Sequence, residues 1–236
     1  MKKVLSIITI LTLFIVGNSY MFASESYGDE ITLSSNEITR IKSLLSEYDV
    51  SIETQTYLMN KLENGEKWDS EKGIEPVSTH TIVKNNGTEE IVETFPDGSI
   101  AISGVDLSTA EVSTDIIVTP YDLDPGSISS GSGYTSYRGA KVYKNTAFIG
   151  AQFYADFTQV NGGMSYISRV YDEKVHALTL GGSIGDVSLQ LVRDRENLNY
   201  DAEAKLSFVA NAWAGGTNCY LKLVVGKGTY STPYSY

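Results

Sequence analysis

Apolar residues recur at helical spacing in one stretch of this chain, residues 34–64. Ser34 and Glu37 have the spacing of a capping box, and Ile38, Ile41, Leu45 and Tyr48 follow on one face. Asp49 closes that segment, and Ser51 can cap a second one carrying Ile52, Leu58, Met59 and Leu62. Asn64-Gly65 is a C-terminal stop. The pattern predicts a helical hairpin. Helices this short are marginal alone, so the pair must pack on something.

After residue 77 the period changes from helical to alternating. Ser78 to Lys84, Thr88 to Phe95 and Ser99 to Val105 read as three strands, joined by Asn85-Asn86-Gly87 and Pro96-Asp97-Gly98. Residues 106–119 fit either a strand or an extended linker. Residues 120–133, rich in Pro, Gly, Ser and Asp, read as a flexible linker. From Tyr134 onward the chain is β-rich. Ile149, Ala151, Phe153, Ala155 and Phe157 mark one face of a strand, with Gln152, Tyr154, Asp156 and Thr158 opposite. Met164 to Tyr171 and Val175 to Leu180 are read as separate strands, followed by one through Val187, Leu189 and Leu191. Ala202 to Ala212 and Cys219 to Val225 alternate in the same way. The expected fold is therefore mainly β. A small α+β module (helical hairpin plus three-stranded meander, residues 24–119) is followed by the linker 120–133. An antiparallel, jelly-roll-like β-sandwich then spans residues 134–236.

The first residues change the picture. Met1-Lys2-Lys3 precedes an apolar run from Val4 to Val16, which is too short for a transmembrane span of about 20 residues. Residues 1–23 are expected to be a secretory signal peptide cleaved near Ala23. The protein is then extracellular, with cell-wall association open and no stable membrane insertion. Cys219 is the single cysteine, so no internal disulfide forms. One cysteine and two histidines cannot build a structural zinc site. Neither a metal nor a cofactor is expected.

Charge divides the chain. Without Lys2 and Lys3 there are 16 basic and 29 acidic residues, a net of −13. Residues 24–133 carry a net of −15 and residues 134–236 a net of +2. So acidic a protein repels phosphate backbones, which excludes nucleic acid as a partner.

Three segments carry a resemblance: Leu62-Glu63-Asn64-Gly65-Glu66-Lys67-Trp68-Asp69-Ser70, Pro76-Val77-Ser78-Thr79 and Phe95-Pro96-Asp97-Gly98-Ser99. Across roughly residues 36–105 the chain resembles uncharacterised secreted proteins of Gram-positive bacteria, in which a helix pair also runs into a Trp-Asp-Ser segment and a short meander. The resemblance implies an extracellular location and a Gram-positive origin. It implies no activity.

Candidate chemistry is sparse. Gly181-Gly182-Ser183-Ile184-Gly185 matches a nucleophile elbow, but an elbow needs a helix after it and a strand is expected there. His80 and His176 fall in strands and read as structural. Cys219 alternates with Leu221 and Leu223 as a small buried hydrophobe. Asp122 and Asp124 offer carboxylates to calcium, yet too few oxygen ligands lie nearby. Trp68 reads as a plug between helices and meander. Of the 16 tyrosines, 11 follow residue 133. Tyr154 and Tyr220 fall on the polar side of their strands, the expected site of a binding face. The expected function is a secreted, non-enzymatic binding protein whose sandwich takes an extracellular glycan or protein. The alternatives are a toxin or bacteriocin-like effector with an acidic pro-region, and a hydrolase with an unrecognised site.

Overall fold

The computed structural model describes residues 33–235, apart from 87, 109, 117–132, 178–182 and 212–215. The expected signal peptide, nearly all of the linker, Asp122, Asp124 and Gly181-Gly182 therefore lie outside the described residues. Helices α1 (Ser35–Glu47) and α2 (Ile52–Glu63) begin where the capping residues place them. The Ser34 backbone N–H donates to the Glu37 carboxylate at 2.9 Å while the Glu37 N–H donates back to Ser34 Oγ. The joint turns at Asp49, which takes a φ of 57°. Ser51 Oγ accepts from the Thr54 N–H. Trp68 is fully buried beneath the hairpin. Its indole N–H donates to the Leu58 carbonyl at 2.8 Å, and its ring meets Phe148 edge-on at 4.7 Å. It plugs the underside of the hairpin as its sequence context predicts, but the ring it meets, Phe148, belongs to the later β-rich half and not to the meander.

Twelve described strands form two antiparallel sheets. The first holds β1 (Ser78–Val83), β2 (Glu89–Thr94), β3 (Ile100–Asp106), β4 (Glu111–Ile116), β5 (Gly133–Asn145), β6 (Ile149–Val160) and β7 (Tyr166–Ala177). Its order is β1-β2-β3-β5-β6-β7, with β4 beside the first half of β5. The second holds β8 (Ser183–Arg193), β9 (Ala202–Asn211), β10 (Gly216–Gly226), β11 (Thr229–Ser231) and β12 (Tyr234–Ser235). Its order is β11-β10-β9-β8, with β12 beside β10. The protein is mainly β, a helical hairpin followed by an antiparallel sandwich.

The meander does not stand apart from the sandwich. β3 pairs with β5 from Ile102↔Asn145 to Asp106↔Lys141, and β4 pairs with β5 from Glu111↔Arg138 to Ile116↔Gly133. The strands before and after the expected linker thus share one sheet. Ambiguous residues 106–119 contribute strand β4. One core joins the helices to both sheets, from Ile41, Leu58 and Trp68 through Phe153 and Phe157 to Leu206 and Leu221. Strict alternation drives this packing: Phe153, Ala155 and Phe157 of β6 point inward, as do Leu206 and Phe208 of β9 and Cys219, Leu221 and Leu223 of β10.

β5 deserves its central place through a bulge. Register shifts between Tyr137 and Ala140, where Gly139 takes a φ of 74° and donates its N–H to Asp156 Oδ1 at 2.8 Å. The extra residue lets Tyr137, Ala140, Val142 and Lys144 all face the second sheet.

Candidate functional site

Beyond the reach of the helices, the outer face of β5, β6 and β7 carries a row of paired residues. Lys141, Tyr154 and Tyr171 are cross-strand neighbours. Tyr154 points outward because Phe153 and Ala155 are fully buried on the other side. The Tyr154 and Tyr171 rings stack with centroids 5.8 Å apart and planes at 22°. Arg169 lies over the Tyr171 ring at 4.3 Å and donates from Nε to Asp156 Oδ2 at 2.9 Å. Asp156 is the anchor of the group, since its other oxygen accepts the Gly139 N–H of the β5 bulge. Burial, and then the Asp156 carboxylate, raise the pKa of the Tyr171 hydroxyl above its ordinary value. Gln152 and the exposed Lys174 face each other beside the ring pair. The arrangement is an aromatic platform edged by groups that donate and accept hydrogen bonds.

Tyr220 is not part of it. It projects from β10 opposite the inward Cys219 and Leu221, on the outer face of the second sheet. The ammonium groups of Lys205 and Lys222 lie 5.1 and 5.4 Å from its ring centroid. The two candidate tyrosines therefore occupy opposite outer faces of the sandwich and share no surface. Both are half-buried rather than fully exposed, because Tyr171 covers one flank of Tyr154 and lysine stems cover Tyr220.

The remaining candidates fall as follows. Ser183 opens β8, so a strand and not a helix follows it, and its hydroxyl pairs with Asn211. An elbow cannot form there. His176 stands on the outer side of β7 with its ring against Gly150, and partial desolvation there, then Arg40, lower its pKa. His80 is exposed on β1, the edge of the first sheet. Cys219 is buried, and burial pushes its thiol up to about 11. Such a thiol is a poor nucleophile. Among the described residues no three His, Cys, Asp or Glu side chains converge as metal ligands. No described helix is long and apolar enough to cross a membrane.

Two groups of residues escape a reading of the sequence. Tyr171, Arg169 and Asp156 join Tyr154 only through strand register. Lys144, Glu93 and Tyr234 meet between the sheets, where Lys144 is fully buried. The one sequence signal for the second group is a lysine at an inward position, two residues after Val142. No known family model matches the chain, and neither a curated protein nor a solved structure matches it significantly.

Proposed function

We propose that this is a secreted, non-enzymatic binding protein whose sandwich takes an extracellular glycan on the outer face of β5, β6 and β7. The observation that supports the reading is the stacked Tyr154–Tyr171 pair. Sugar rings present apolar C–H faces that lie well on aromatic rings, and their hydroxyls need donors and acceptors at the margin. Arg169, Asp156, Gln152 and Lys174 supply both around this pair. An open sheet face suits a polymer chain, which enters no deep cavity.

Sedimentation of the purified protein with cell-wall material, and separately with other insoluble polysaccharides, tests the reading. Tyr154→Ala and Tyr171→Ala should each weaken binding about tenfold, the loss of one aromatic anchor. Retention unchanged in both variants would remove the platform from consideration.

A protein partner is the second reading, favoured by the edge strand β8. Val187 and Val192 are exposed there, and Leu198 (93% exposed) and Tyr200 follow in the next loop. An apolar edge strand is a ready surface for another chain. Capture of a protein that is lost with Val187→Lys and kept with Tyr154→Ala would favour it.

A further inference from the structure

A lysine with no exposed surface is expensive to keep charged, and Lys144 has none. It leaves β5 toward the second sheet, two residues after the inward Val142. Its Nζ is 2.6 Å from Glu93 Oε2 of β2 and lies 3.2 Å from the centre of the Tyr234 ring. The Tyr234 hydroxyl donates to the same Glu93 oxygen. A second carboxyl, Glu71, lies within electrostatic reach of Lys144 and Tyr234. Its Oε1 is buried without a hydrogen-bond partner. One carboxyl, one amine and one phenol thus meet in a site largely shielded from water, with the Glu71 carboxyl in electrostatic reach.

We propose that Lys144 and Glu93 condense to an intramolecular amide, with Glu71 carrying the proton and Tyr234 assisting the departing oxygen. Transfer of one proton from the Lys144 ammonium to Glu93 turns the buried ion pair into a neutral amine and a carboxylic acid. Burial favours such a neutral pair over two desolvated ions. The amine lone pair then attacks Glu93 Cδ and forms the C–N bond. Charge collects on Oε1, while Oε2, which holds the transferred proton and receives the Tyr234 hydroxyl, becomes the departing hydroxyl. Glu71 takes a proton from the new ammonium and returns it to the departing hydroxyl. The Glu93 C–O bond breaks, one water leaves, and Glu71 ends as it began. No oxidant or activating group is needed. Fixed proximity replaces the activation that the same reaction requires between free molecules.

The protonation states agree with this chemistry. Burial, opposed by Glu93, brings Lys144 down to about 8, which makes the neutral amine accessible. Burial, opposed by Thr146 and Lys144, pushes Glu71 up to about 7, the range in which a carboxyl both takes and gives a proton near neutrality. The bond would tie β2 to β5 across β3, and so join the strands before residues 117–132 to the strands after them.

Peptide mapping of the purified, full-length folded protein by mass spectrometry decides the matter. The expected result is an intact mass one water below that of the chain, with its N-terminus read from the same map. A branched tryptic peptide should join Lys144 to Glu93, with no cleavage after Lys144. Lys144→Arg and Glu71→Gln, each confirmed as folded by circular dichroism, should have the full mass. Wild-type protein with full mass and normal cleavage after Lys144 overturns the proposal. So does a water loss that maps to other residues. A cross-linked Glu71→Gln chain would overturn the role given to Glu71.

Discussion

Tyr143 of β5 donates its hydroxyl to the carboxylate of Glu90 on β2, across the intervening strand β3. Glu90 is buried, yet it is well satisfied: Tyr48, the residue that ends α1, donates to its other oxygen at 2.7 Å, and Lys84 pairs with it at 2.9 Å. One carboxylate thus ties the end of the helical hairpin's first helix to β2, β5 and the residue that follows β1. Glu90→Ala strands the Tyr48 and Tyr143 hydroxyls, while Lys84 keeps its pairing with Glu47 at 3.2 Å, and should cost about 2–4 kcal/mol in urea denaturation. Glu90→Gln keeps an acceptor and should cost less. A loss within about 0.5 kcal/mol for Glu90→Ala would mean that water replaces the carboxylate.

Neighbouring residues on β6 should behave as opposites. Phe153 is fully buried between the sheets, so Phe153→Ala should cost about 3–5 kcal/mol. Tyr154 keeps only its cross-strand contacts, so Tyr154→Ala should cost on the order of 1 kcal/mol. A double-mutant cycle on Tyr154 and Tyr171 should return a coupling of about 0.5–1.5 kcal/mol. Equal losses for Phe153→Ala and Tyr154→Ala would place both faces of β6 in the core.

These contrasts also show where the sequence is readable. The helix caps at Ser34 and Ser51 are local chemistry, and both form as their spacing predicts. β6, β9 and β10 alternate without interruption, so their inward residues follow from period alone. β5 is hidden because the bulge at Arg138-Gly139 shifts its alternation by one residue and a lysine occupies an inward position. β7 reads as two strands because a bulge interrupts it. Asp172, with a φ of 53°, and Glu173 sit opposite Phe153 alone. The same bulge sets Tyr171 against Tyr154. Half of the platform was legible: the period turns Tyr154 outward, but its partner depends on a register that spans residues far apart in the chain.

Cys219 should be inert in the folded protein. With its thiol near 11, roughly one molecule in a thousand carries the thiolate at pH 8, and the side chain is buried against the first sheet's inner face. A soluble disulfide reagent should label it only as fast as the sandwich opens, and at once in denaturant. Rapid labelling of the native protein would mean that β10 is not held against the core.

Acid should weaken the β3–β5 junction through Asp106. Burial alone would raise this carboxyl, but the hydrogen bonds it accepts outweigh burial. They come from the Ser108 N–H at 2.9 Å and the Thr88 hydroxyl at 3.0 Å, with Lys141 pairing at 3.3 Å. Together they pull Asp106 down to about 2. In the unfolded chain an aspartate titrates near about 3.9. The folded value lies below the unfolded one, so the carboxylate stabilises the fold above pH ~3.9, and that contribution is lost as pH falls toward about 2. Asp106→Asn lacks the titration. Wild type should therefore exceed Asp106→Asn in stability at pH 5, by on the order of 1 kcal/mol once screening of a partly exposed ion is allowed for. The gap should close between about pH 4 and pH 2. Urea midpoints for the two proteins across that range make the comparison. A gap that stays constant with pH would show that Thr88, Ser108 and Lys141 do not hold Asp106 in its charged form.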